Sequence, residues 1–420
     1  MKVRIINYLK KHPKQRRCVR FLLLQYRKCR YLIEGIGISV DPYCVVFECY
    51  MGRKYTCNPK ALYCRMMTDP KYQQYHFIWA FKEPKKFMSL QNERTTVIRY
   101  GSKQYKKAYH RAKYFITNSR LPEWIIKKKN QVYIQTWHGT PLKKLGFDID
   151  VAGNNAMNSK KELQDKYFND AKRYDYMLSP SSFCTEKFSS AFRLSSNVKI
   201  IEQGYPRNDQ LFQYTKKEVQ LIKKELHIPL NKKVILYAPT WRDDEHVSGV
   251  GYTQSLGVNF DILQRQLKKD YVILFRSHYF IANHFDFAKY KGFVYDVSNY
   301  DEINDLYIIS DLLITDYSSV FFDYANLKRP ILFYMYDYHK YKNQLRNFYI
   351  DLKELPGPII KESDEYKLCQ EVLNLEQNFS KFKNKYSRFH NKFNSLDDRN
   401  SSERVLEECV FYAENKTNYK

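Results

Sequence analysis

Five short polar clusters constrain this chain more than any other feature, because each stands directly behind a run of apolar residues. Val132–Thr136 is followed by Trp137-His138-Gly139-Thr140-Pro141-Leu142-Lys143-Lys144. Val198–Ile201 is followed by Gly204-Tyr205-Pro206-Arg207-Asn208-Asp209. Val234–Tyr237 leads into Ala238-Pro239-Thr240-Trp241-Arg242, and Tyr271–Phe275 into Arg276-Ser277-His278. Asp311–Thr315 leads into Asp316-Tyr317-Ser318-Ser319. Apolar runs this short suit buried strands rather than core helices. An open α/β sheet binds its ligand outside the carboxyl ends of its strands. Five clusters at that same end therefore converge on one ligand, although a lone histidine at a strand end is more often structural.

The block Asp311–Arg346 shows the pattern in full. After the strand and the Asp-Tyr-Ser-Ser cluster, Val320–Leu327 gives about two helical turns. Lys328-Arg329-Pro330 stops the helix, and Ile331–Tyr334 reads as the next strand, completing one crossover of a parallel sheet. Two hydroxyls and free backbone N–H groups at a helix start suit a phosphate, or simply cap the helix. Upstream, strands are expected at Tyr43–Phe47, His76–Phe81, Thr96–Tyr100, Tyr114–Asn118, Tyr176–Leu178 and Val198–Ile201, and Asn58 is expected to cap a helix with Pro59 in its first turn. The alternation predicts an α/β chain of two domains, as its length of 420 residues also requires. The divisions are residues 1–35, a basic amphipathic helix; 36–206, an N-terminal α/β domain; 207–231, a Lys-rich hinge; 232–360, a second α/β domain; and 361–420, charged C-terminal helices.

A formal charge of +26 implies an anionic partner. Residues 1–30 contain eleven Lys or Arg and no acid. Between Pro13 and Gly35, apolar Val19, Leu22, Leu23, Tyr26, Cys29 and Ile33 recur at helical spacing. This is either a membrane-surface element or a helix packed on the protein's own core with a solvated basic face; the missing acids favour the membrane. No uninterrupted apolar run is long enough to span a bilayer. The nine cysteines form no C-x-x-C pair and match no zinc-finger spacing, so they are read as reduced thiols of a cytosolic protein. The carboxylates are not read as a metal site, and the expected chemistry needs no metal or cofactor.

WHGTPLKKLGFD, GYPRND, LYAPTWR, RSH and LLITDYSSVFFDYANLKRPILFY, in this order and spacing, resemble the CDP-glycerol glycerophosphotransferase family of teichoic-acid primases and polymerases. GRKYTCNPKALY is similar to that family's first loop and helix. The resemblance covers residues 43 to 350 and implies a GT-B-like pair of Rossmann-type domains facing across a cleft. It implies a CDP-glycerol or CDP-ribitol donor and a membrane-bound, undecaprenyl-linked polyol-phosphate acceptor, with no nucleic-acid partner. The protein would be peripheral, on the cytoplasmic face of the cell membrane, and a homo-oligomer is left open. His138 matches the family's catalytic base. Gly139, Thr140, Pro141, Leu142, Arg207, Pro239, Thr240, Arg276, Ser277, His278, Ser318, Ser319 and Asp323 match donor-binding positions.

In the resulting scheme the acceptor hydroxyl attacks the donor phosphorus next to the polyol and CMP leaves. His138 takes the proton, while Arg207, Arg276, His278 and the Ser318 helix start offset charge. Asp323 is expected to accept from a ribose or glycerol hydroxyl. Two alternatives stand beside this: a nucleotide-sugar glycosyltransferase of the same fold, and a non-catalytic basic protein that binds nucleic acid or anionic lipid. The clustered strand-end motifs argue against the second, since a pure binder needs no His-Gly-Thr loop facing a Ser-Ser helix start. Glycerol versus ribitol, and one unit versus many, stay open.

Overall fold

A computed structural model describes residues 12–149, 160–240, 246–247, 251–252, 256–277, 285–339 and 348–411. Seven strands form the first sheet: β1 (Asp41–Glu48), β2 (His76–Phe81), β3 (Thr95–Arg99), β4 (Ala112–Thr117), β5 (Val132–Gln135), β6 (Tyr176–Ser179) and β7 (Lys199–Glu202). Their spatial order is β3-β2-β1-β4-β5-β6-β7, parallel throughout. The second sheet contains β8 (Lys233–Ala238), β9 (Tyr271–Phe275), β10 (Val294–Asp296), β11 (Leu312–Thr315), β12 (Ile331–Tyr334) and β13 (Ile359–Ile360). Its order is β10-β9-β8-β11-β12-β13, again parallel. These are two doubly wound, Rossmann-type sheets, the GT-B-like α/β class expected. Each order reverses once, between β1 and β4 and between β8 and β11, so each lobe has a crevice at that point.

The strands are buried on both faces, as parallel sheets covered by crossover helices must be. In β9 all five residues are buried, and in β1 the run from Cys44 to Glu48 is. The helices that bear on the site are α1 (Pro13–Glu34), α2 (Cys57–Thr68), α3 (Lys103–Arg111), α4 (Ile303–Ile309), α5 (Val320–Tyr324), α6 (Leu375–Phe393) and α7 (Ser401–Leu406). The chain ends by crossing back. Val405, Leu406, Cys409 and Val410 pack into the first lobe's core beside Phe47 and Ile116. Phe393, at the end of α6, lies edge-on to Phe183 of the first lobe (4.9 Å) and to Phe322 of the second (5.1 Å). Burying a ring of this size stabilises the junction by about 2–3 kcal/mol.

Helix α1 occupies the span that its spacing predicts. Tyr31 is buried and stacks on His110 of α3 at 3.8 Å, and Gly35 passes so close that a Cβ would fall 2.2 Å from that imidazole. Val19, Phe21, Leu22, Leu23, Tyr26, Leu32 and Ile33 all face solvent. Asn58 departs from expectation. It is not a helix cap: the helix starts at Cys57, and the Asn58 amide is drawn into the junction. There Nδ2 donates to the Thr136 and Trp137 carbonyls (3.0 and 3.2 Å), and Oδ1 accepts from the Arg207 N–H at 3.1 Å. Three hydrogen bonds in a buried setting outweigh a single cap bond worth about 1 kcal/mol.

Candidate active site

Beyond β5 the chain turns sharply, with φ of +51° at Trp137 and +152° at Gly139. Only glycine adopts the second value freely. A Cβ on Gly139 would lie 3.4 Å from Arg207 Nη2 and 3.6 Å from Ser319 Oγ. Gly139 is therefore where the His-Gly loop of one lobe meets the Ser-Ser turn of the other.

His138 stacks on Trp137 (centroids 4.4 Å apart) and meets the edge of Tyr50 at 5.7 Å. Its Nδ1 lies 2.7 Å from the Asn118 carbonyl. A carbonyl only accepts, so Nδ1 carries the hydrogen and Nε2 keeps its lone pair. The residue as a whole is exposed, while one ring face is covered by Trp137 and the Nδ1 edge by Asn118. Desolvation by the surrounding protein, with Arg207 and Arg120 nearby, pulls its pKa down to about 4, against the opposing pull of the Asn118 carbonyl. At neutral pH this is an uncharged imidazole with a free basic nitrogen, the form that accepts a proton.

Arg207 ties the lobes together behind His138. Nη1 donates to the His138 carbonyl at 2.7 Å and to Cys57 Sγ at 3.3 Å, while Nη2 donates to Asp323 Oδ2 at 2.5 Å. Burial alone would lower its pKa, but Asp323 and Cys57 beside it hold it well above the ordinary value. The second Asp323 oxygen accepts from Asn208 Nδ2 at 3.2 Å. Asp323 is thus turned inward, anchoring Arg207 rather than facing the cleft.

In the second lobe the strand-end residues line one edge, because β9, β8 and β11 are neighbours. Pro239 and Thr240 follow β8, and the Thr240 N–H donates to Asp316 Oδ1 (2.8 Å), which also accepts from the Tyr317 N–H (2.6 Å). The loops after β8 and β11 are so joined at the point where strand order reverses. Ser318 Oγ accepts weakly from the Val320 N–H at 3.5 Å, whereas Ser319 makes no side-chain cap bond. Arg276 directs Nη1 to the Val297 and Tyr300 carbonyls (3.1 and 2.7 Å), and the Ser277 N–H meets Ser298 Oγ at 3.0 Å. Burial lowers the Arg276 pKa. Thr140, Pro141 and Leu142 are buried, and the loop pairs with the second lobe through the Tyr349 N–H to the Leu142 carbonyl (2.9 Å). His278 lies outside the described residues.

Bridges also cross the cleft mouth. Lys54 Nζ meets Asp301 at 2.7 Å, and Lys60 Nζ meets Glu302 at 2.8 Å. Asn118, which sets the His138 tautomer, is missing from the five strand-end clusters. It stands directly behind β4 at the same edge, so the same rule would have found it. Asn208 stands inside the second cluster but is not singled out there, and the tail residues Asn394 and Asp397 carry no such signal.

The family model described as CDP-glycerol:poly(glycerophosphate) glycerophosphotransferase matches residues 34–411. The chain is 41% identical over 368 residues to a teichoic acid poly(glycerol phosphate) polymerase of Bacillus subtilis (strain 168), covering 87% of this chain and 48% of that protein. The chain thus spans about half the length of that relative. It is also 41% identical to a teichoic acid glycerol-phosphate transferase of Staphylococcus aureus (strain NCTC 8325 / PS 47), over 86% of this chain and 92% of that one. A solved structure of the wall teichoic acid polymerase TagF, a histidine variant soaked with CDPG, superposes with a TM-score of 0.84. It shares 38% identity and covers 97% of this chain and 98% of its own.

Proposed function

This chain belongs to the CDP-glycerol:poly(glycerophosphate) glycerophosphotransferase family, and from that premise we propose that it transfers glycerol phosphate from CDP-glycerol to a polyprenyl-linked teichoic-acid acceptor at a membrane. The donor's diphosphate would lie along the second lobe's strand-end edge, at Pro239–Thr240, Arg276–Ser277 and Ser318–Ser319. An acceptor hydroxyl attacks the β-phosphorus. A new O–P bond forms, the bond from that phosphorus to the bridging oxygen breaks, and CMP leaves with that oxygen. The proton passes to His138 Nε2. Residues 36–206 would carry the base and residues 232–360 the donor, with 207–231 as the hinge. Glycerol is favoured over ribitol because glycerol-phosphate enzymes are the 41% identical relatives. The exposed apolar residues of α1, beside Lys14, Arg17 and Arg27, would seat the protein on an anionic surface.

The single observation carrying this reading is His138, whose Nδ1 is held by the Asn118 carbonyl so that Nε2 keeps its lone pair, on a loop that meets Ser319 and Arg207. The test is to incubate the purified protein with CDP-glycerol or CDP-ribitol and a lipid-linked acceptor, following CMP and product length. His138→Ala is expected to lower CMP release by at least about 100-fold with an unchanged circular dichroism spectrum. Unchanged turnover in that variant removes the mechanism.

A further inference from the structure

Asp397 lies between α6 and α7, far in sequence from every strand-end cluster, and its carboxylate is buried at the junction of the lobes. Oδ1 accepts from the Tyr205 N–H at 2.7 Å. Oδ2 accepts from Asn208 Nδ2 and Asn326 Nδ2, both at 2.8 Å, with Asn394 Nδ2 at 3.5 Å. Every partner is a donor, and none is a cation. A buried carboxylate without a counter-ion is expensive, and only a group with two acceptor atoms satisfies this set.

The partners form a relay. Asn208 Nδ2 also donates to Asp323 Oδ1; Asp323 Oδ2 accepts from Arg207; and Arg207 Nη1 holds the carbonyl of His138 at 2.7 Å. Asn326 stands just behind α5, the short helix that carries Asp323, and Asn394 Nδ2 donates to the Phe322 carbonyl of that helix at 2.8 Å. The segment around Asp397 is fastened from the other side as well. Asp209 accepts from the Ser401 and Ser402 N–H groups at 3.0 and 2.9 Å, securing the start of α7. The approach is close enough to require glycine at position 204. Its φ is +80°, and a Cβ would fall 2.6 Å from Ser401 Oγ, 2.7 Å from the Leu396 carbonyl and 2.9 Å from Asp397 Oδ1.

We propose that Asp397 is a positioning residue for the transfer: it holds Asn208 and α5 so that Asp323 locks Arg207, and Arg207 fixes the backbone of His138. It acts through those residues and not on the substrate. The effect on turnover rests on the transfer reading above; the effect on the His138 loop does not.

The test uses the full chain with Asp397→Asn, which keeps the volume but sets an NH2 group against at least one donor. Asn326→Ala, which removes a single donor, serves if Asp397→Asn does not fold. Hydrogen exchange is read on peptides covering residues 136–145 and on the core strands β1 and β8. The expected result is about tenfold faster exchange in 136–145 with the core strands unchanged, together with a kcat per folded molecule lowered about tenfold and an unmoved KM for CDP-glycerol. A merely structural role speeds exchange in the core strands as well and lowers activity only in step with the folded fraction. Unmoved exchange in 136–145, or faster exchange there with an unmoved kcat per folded molecule, overturns the proposal. If the wild-type protein does not turn over CDP-glycerol, the transfer reading fails and the exchange result alone decides the role of Asp397.

Discussion

At the scale of single residues, the proposed transfer depends on how one imidazole is held. His138 was legible as a candidate because it stands behind a strand among other polar clusters. Its tautomer was not, because the acceptor that sets it is the backbone carbonyl of Asn118, and every residue has a carbonyl. Its lowered pKa gives a direct expectation. In the proposed transfer the base works uncharged, so kcat/KM for CMP release should stay level from pH 8 down to about 5 and fall only as pH nears the value of about 4. A bend near pH 6.5, the ordinary imidazole value, would contradict this. Asp323 shows the opposite limit. Its place in the motif was visible, but its inward turn onto Arg207 follows from a neighbour 116 positions away.

At the scale of elements, the strands and α1 emerged where periodicity places them, since apolar runs of four to six residues bury on both faces of a sheet. Asn58 misled because the Asn-Pro pair is a local cap signature, while the competing partners, Thr136, Trp137 and Arg207, are distant in sequence. Helix α1 presents a consequence that can be measured. Leu22, Leu23 and Ile33 are each at least half exposed, so replacing all three with serine should leave the melting temperature within a few degrees. If the helix seats on lipid, each lost side chain removes about 1.5–3 kcal/mol of burial, and sedimentation with anionic liposomes should fall more than tenfold. Equal sedimentation of both proteins would exclude this helix as the anchor.

At the scale of the whole molecule, acids buried within the first lobe and where the tail crosses back titrate abnormally. Burial raises Asp209 and Asp397 to about 6 and Glu48 to about 7. The folded chain then holds protons that the unfolded chain releases, so this contribution is full near pH 4 and is lost as pH rises through 6 to 7. Burial depresses His138 to about 4 and lowers His76, His110 and His390 as well; these work the other way, their contributions being lost as pH falls from about 6.5. The carboxyl contribution is read by removing one of its members: Glu48→Gln cannot ionise, so its melting temperature relative to the wild type should rise as the pH goes from 5.5 to 8. A difference that does not change with pH would refute it. By itself the sequence determined the two parallel sheets and the polar clusters at the carboxyl ends of their strands, because strand burial and the polarity of strand ends are local properties. Only the tertiary structure decided which of those residues face the cleft and which brace it. That choice rests on contacts between segments up to about two hundred positions apart, such as Asp397 with Tyr205 and Asn208, and no local pattern of residue types encodes such a meeting.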